Sequence, residues 1–110
     1  MKEKRLDRSY IEDIKKAATL AIDFAKGLTR ESFEKAFMAQ SAILYQLAVI
    51  GEASTHISSE FRKDHPNFEW KKMSGMRNIL VHAYHELDLD VIWQSVQNDL
   101  PELLRKIEKI

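Results

Sequence analysis

Ala42-Ile-Leu-Tyr-Gln-Leu-Ala-Val-Ile50 is the most apolar stretch of the chain, interrupted by Gln46 and closed by Gly51 and Glu52. It falls far short of the roughly 20 residues that a membrane span needs, so it reads as a buried core helix. Phe33 and Phe37 precede it, and Leu44, Leu47, Ile50, Ile57 and Phe61 carry one apolar stripe down to the His65-Pro66 break. A second stripe through Met38, Ile43, Tyr45 and Val49 makes the middle apolar on most sides, as expected for the central element of a bundle. Thr29 can cap this segment, with Glu31 in its first turn; the segment either runs through or splits near Ala36.

Working outward, Leu6, Tyr10, Ile14, Ala18, Ile22 and Ala25 line one face of a first helix, expected from about Leu6 to Lys26, with Gly27 as its left-handed cap. A third helix is expected from about Glu69 to Leu87. A fourth begins near Asp88 or Leu89 and carries the stripe Leu89, Trp93, Val96, Leu100, Leu103 and Ile107. Pro101 either bends it or starts a fifth, short helix. With three Gly and two Pro there is little room for turns, and the pattern predicts an all-α, four- to five-helix up-down bundle.

The 110 residues suit a single domain spanning 1–110 without repeats or a linker. Seventeen Lys and Arg balance seventeen Asp and Glu, so the chain as a whole does not seek polyanions, and any nucleic-acid contact must come from a local patch. The absence of Cys rules out disulfides, thiol nucleophiles and thiolate metal sites, and fits a reducing cytoplasm. The charged N-terminus lacks the apolar core of a secretion signal, which argues for a cytoplasmic protein away from membranes.

Chemistry concentrates between Met73 and Leu87. On a continuous helix Met73, Met76, Leu80, Ala83 and Leu87 fall in one arc, expected to face the core. Opposite lie Arg77, Asn78, Val81, His82 and His85, with Tyr84 at the border. A lone His is ordinarily a satisfied core or surface residue; two of them beside an Arg and an Asn are less readily dismissed. Arg77 and His82 diverge by about 140° on an ideal helix. Their tips could meet on one phosphate through the reach of the Arg, through a helix irregularity, or across a two-fold axis with a second copy. Tyr84, about 20° from Arg77 and two turns on, could border the same site or simply edge the core.

Lys71, Lys72 and Arg77, with Arg62 and Lys63 upstream, make a basic run; Glu86, Asp88, Asp90, Asp99 and Glu102 make an acidic flank. Two ordinary solvated faces would look the same. A metal on His82 and His85 with Glu86 or Asp88 lacks a recognisable ligand motif. Isolated Gly27, Gly51 and Gly75 exclude a phosphate-cradling loop, and Ser54, Ser58 and Ser59 have no nucleophile elbow.

Arg77-Asn-Ile-Leu-Val-His-Ala-Tyr84 resembles the motif of the HepT-like toxins in the HEPN superfamily: an arginine, four residues, a histidine, one residue, a tyrosine. The flanking words agree: Val49-Ile-Gly-Glu-Ala53, Trp70 before Gly75-Met-Arg-Asn78, and Asp90 through Trp93 to Asp99-Leu-Pro101. The resemblance spans essentially the whole chain. It implies an all-α, HEPN-like homodimer with the two motifs facing each other, acting as a metal-independent endoribonuclease without cofactors. It also implies a partner, a small MntA-type nucleotidyltransferase antitoxin that silences the toxin by adding AMP to the motif tyrosine. Carried over residue by residue, Arg77 and His82 are the catalytic pair, Asn78 is a supporting polar residue and Tyr84 is the AMP acceptor. Glu52, in the Gly-Glu-Ala word, is expected to be a buried partner orienting Arg77 or Asn78.

Elementary chemistry agrees with those roles. RNA supplies its own nucleophile, the 2'-hydroxyl, so the protein needs a proton-handling group near neutral pH, which His provides, and a fixed cation for the phosphorane charge, which Arg provides. The products would be a 2',3'-cyclic phosphate and a 5'-hydroxyl. The alternative is a non-catalytic HEPN-type module that binds nucleic acid or a nucleotidyltransferase and uses the motif structurally.

Overall fold

The structure, a computed structural model, describes residues 2–82 and 87–110. They fold as α-helices with no strand among them. Two long helices, α1 (Lys2–Ala25) and α3 (Phe37–Thr55), lie against each other and carry most of the core. Ile11, Ile14, Ala18, Ala21 and Ala25 of α1 meet Ile43, Leu44, Leu47 and Ile50 of α3. The all-α expectation is met.

The ends nearest the first turn follow from local chemistry. Gly27, with φ +82°, leaves α1 through the left-handed region as expected. Thr29 caps α2 (Arg30–Phe33) in a reciprocal box with Ser32, each side chain accepting from the other's backbone N–H at 3.0 and 2.9 Å. Of the two readings at Ala36, the split is the one present. Buried Gln40 closes it by donating to the carbonyls of Phe33 and Glu34 at the end of α2, the first of them shared with the Ala36 N–H.

A second break, at His56 to Ser58, separates α3 from α4 (Ser59–Asp64) where one stripe had been expected to run on to Phe61. Buried Asp7 fixes it: its two carboxylate oxygens accept from the N–H and hydroxyl of Ser58 at 2.8 and 2.6 Å. The face of α1 that turns inward therefore runs through Asp7 and Ile11, and Leu6, expected in the stripe, is exposed. On α3 the breaks set the phase of the helix, so that Phe37, also assigned to the stripe, is 72% exposed and Met38 87%.

The largest difference concerns the expected helix from Glu69 to Leu87. It is α5 (Trp70–Gly75), a 3-10 turn (Met76–Asn78) and α6 (Ile79–His82). A 3-10 turn advances about 120° per residue instead of 100°, so the apolar arc drifts off the core. Met73 is buried and Met76 partly so, but Leu80 and Leu87 are exposed; Ala83 lies outside the described residues.

Beyond, Asp88 caps α7 (Leu89–Gln94), which continues through a π turn (Ser95–Asp99) into α8 (Leu100–Glu108). Leu100 N–H donates to the Ser95 carbonyl five residues back, and Pro101, next in line, has no N–H to give. The helix widens there without ending. Val96, Leu100, Leu103 and Ile107 stay in the core, packed beside α1. No helix among the described residues is long and apolar enough to cross a membrane.

Candidate active site

Gly51, buried on the inner face of α3, sets the position of the site. A Cβ there would stand 2.7 Å from both the Arg77 Cα and the Met76 carbonyl carbon, and closer still to the Arg77 nitrogen. Only glycine lets the 3-10 turn seat its backbone directly on α3. One turn further along α3, Ser54 locks the same junction: its hydroxyl donates to the Gly51 carbonyl at 2.8 Å, leaving the Ser74 hydroxyl of α5 to donate to Ser54 at 3.2 Å.

With its backbone so held, Arg77 projects an exposed side chain. Its Nε lies 3.7 Å from Glu52 Oε2, an ion-pair contact beyond hydrogen-bond range. Glu52 is thus a partner of Arg77, as expected, but it is exposed and not buried, because Gly51 takes the inward-facing position beside it. The other carboxylate oxygen, Oε1, is 3.2 Å from Nε2 of His56, the residue that caps the C-terminus of α3. The His56 ring stacks on Tyr10 of α1, with centroids 5.0 Å apart and planes 16° from parallel. Tyr10, His56, Glu52 and Arg77 therefore form a continuous chain of contacts.

Asn78 is exposed beside Arg77 in the 3-10 turn, and Val81 is 68% exposed. His82 ends α6 by its backbone, and its side chain is outside the described residues, as are Tyr84, His85 and Glu86. Arg77 and Glu52 are brought together, with Asn78 next to Arg77 along the turn; the catalytic part assigned to His82 and the acceptor part assigned to Tyr84 rest on sequence. His56 was missed. Its signal was present as Glu52-x-x-x-His56, one helical turn apart, whereas the Tyr10 stack depends on how α1 crosses α3 and had none.

The basic run is smaller than its sequence suggested. Arg62 turns inward, donating to the Ser54 carbonyl at 2.7 Å and lying over the Trp70 ring. Lys72 pairs with Asp99 at 3.0 Å, and that hydrogen bond raises its pKa above the ordinary lysine value despite partial burial. Lys63, Lys71 and Arg77 remain as exposed cations in this stretch. The acidic flank is drawn on as well, since Asp90 accepts from Arg30 at 2.7 Å.

The chain is similar to a Thermococcus cleftensis protein named "Probable ribonuclease HepT", 38% identical over 107 residues and covering 97% of each chain. It is 36% identical over 105 residues to a Methanocaldococcus jannaschii protein named "Putative RNase", with 96% of each covered. A shorter likeness, 48% over 40 residues, covering 36% of this chain and 30% of the other, links it to the "mRNA nuclease HepT" of Shewanella oneidensis. No solved structure matches. The family described as ribonuclease HepT-like matches residues 10–110, nearly the whole chain and all of the site above. A helical bundle that clasps the arginine of an R-x4-H-x-Y motif against its central helix, with relatives of this identity and coverage, belongs to the HepT-like ribonuclease family.

Proposed function

We propose that the chain is the toxin of a toxin–antitoxin pair, an endoribonuclease that cleaves RNA without a metal. In this reading the 2'-oxygen of a nucleotide attacks the adjacent phosphorus. The 2'-hydroxyl proton passes to a base, the 5'-oxygen leaves and takes up a proton, and a 2',3'-cyclic phosphate remains. His82 handles one of these protons, Arg77 neutralises the charge on the phosphorane oxygens, and Asn78 supplies a further donor. The observation that carries the reading is the seating of Arg77: backbone fixed on Gly51, guanidinium exposed, and its Glu52 contact solvated. A solvent-exposed ion pair contributes at most about 1 kcal/mol, so Glu52 does not keep the guanidinium from an incoming phosphate.

The site is best read as shared between two copies of the chain. Two steps of a 3-10 turn and three of an α-helix place His82 about 180° around from Arg77, further than on an ideal helix. A site that draws Arg77 from one copy and His82 from the other needs no such reach around one helix. On α3, Met38, Ala42, Tyr45, Val49, Glu52 and His56 follow one another by four, three, four, three and four residues along one face. Met38 and Tyr45 on it are exposed, as is Val81 beyond Arg77. Such an apolar row leading to the site suits a two-fold interface.

Tyr84 is the proposed acceptor of AMP from a nucleotidyltransferase antitoxin; the added phosphate would compete for Arg77 and its bulk would obstruct RNA. Purified protein incubated with total RNA in EDTA should cut it, leaving 2',3'-cyclic phosphate ends, while Arg77→Ala and His82→Ala lose cleavage and keep their helical circular dichroism. Cleavage that survives both substitutions, or that requires added Mg2+, overturns the mechanism. No cleavage by the wild type favours the binding module. Co-expression with a nucleotidyltransferase should add AMP mass to the Tyr84 peptide; silencing of Tyr84→Phe without a mass shift would mean inhibition by binding alone.

A further inference from the structure

We propose that His56 is a positioning residue for Arg77, acting through the Glu52 carboxylate that the two share. The proposal deepens the ribonuclease reading and takes from it the part of Arg77 as the phosphate-binding cation.

An ionised carboxylate only accepts hydrogen bonds, so at 3.2 Å from Glu52 Oε1 the His56 Nε2 must carry its proton and donate. The ring is held on its other side by the Tyr10 stack. A Glu side chain on a helix surface otherwise samples several rotamers. Tied at Oε1, it turns Oε2 toward Arg77, whose Nε sits 3.7 Å away. With the Nε side of the guanidinium facing Glu52, the edge formed by its two terminal nitrogens is left for the paired oxygens of a phosphate. Tyr10 and His56 thus act on the direction in which Arg77 points, while Gly51 fixes where its backbone sits.

A cation that is misdirected in the transition state lowers turnover more than substrate binding, because much of the ground-state affinity comes from other phosphate contacts. His56→Phe keeps a ring on Tyr10 and removes the donor; His56→Gln keeps a donor near the Nε2 position and removes the ring. We expect His56→Phe to lower kcat about tenfold with KM changed less than about twofold, and His56→Gln to retain about half of wild-type kcat or more. The Arg77 Nε–Hε cross-peak in 15N-resolved NMR, assigned by its loss in Arg77→Ala, should shift in His56→Phe and stay in place in His56→Gln.

Wild-type kcat in His56→Phe, or equal losses in the two variants, overturns the proposal. If the wild-type protein cuts no RNA, the ribonuclease reading fails and the NMR comparison alone decides: a shift confined to His56→Phe sustains the relay, and no shift overturns it. Should His56→Phe lose its helical signal, His56→Ala takes its place with the same expectations.

Discussion

Gly51→Ala sets two expectations against each other. Helix propensity favours alanine over glycine inside a helix by about 1 kcal/mol, and Gly51 is well inside α3. The packing opposes it. The new Cβ would begin 2.7 Å from the Arg77 Cα and the Met76 carbonyl carbon and closer still to the Arg77 nitrogen, where 3.4 Å is ordinary contact, so the 3-10 turn must retreat by more than about 0.7 Å. All three obstacles are backbone and no rotamer change relieves them, which places the cost near the upper end of the usual overpacking range, about 3 kcal/mol. The net is a loss of about 2 kcal/mol, or a fall in Tm of about 10 °C for a chain of this size. The displaced turn carries Arg77, and a misplacement approaching 1 Å costs cleavage about a hundredfold. Urea and thermal unfolding at fixed protein concentration, alongside RNA cleavage in EDTA, measure both effects. Gly75→Ala is the control: it has right-handed helical backbone angles and no atom within 4 Å of an added Cβ, so the same substitution should raise stability slightly. A Gly51→Ala protein as stable as the wild type and fully active would refute the clasp.

Asp7→Ala leaves the Ser58 N–H and hydroxyl without their acceptor at a buried helix junction and should cost about 2 kcal/mol in urea unfolding. Tyr45→Glu puts a charge in the middle of the apolar row on α3 and should shift the protein toward monomer in analytical ultracentrifugation, with cleavage falling in parallel. Mixing inactive Arg77→Ala and His82→Ala chains should restore part of the activity in verified heterodimers, since one of the two sites would then be intact; no recovery would point to self-contained sites. The Lys72–Asp99 contribution, arising from a raised lysine pKa, should be fully present at pH 7 and fade as alkaline pH passes the raised value, a loss that Lys72→Met removes from the unfolding profile.

What the sequence determined by itself was the part governed by neighbours a few residues away. The helical period and the Thr29 and Gly27 ends depend on spacing and turn chemistry that short stretches carry, while Arg77, Asn78 and Glu52 were singled out by their likeness to family motif words. Phase across a break is different. Whether Phe37 and Leu80 face the core depends on how far the chain winds at Ala36 and at Met76–Asn78, and that winding is set by contacts with distant segments. Asp7 inside, Glu52 outside, Arg62 turned under Trp70 and His56 stacked on Tyr10 were likewise decided only when α1 crossed α3 and the 3-10 turn came down on Gly51. A glycine in the middle of a helix reads locally as a weakness; only the backbone of Arg77 lying against it shows why no side chain fits there.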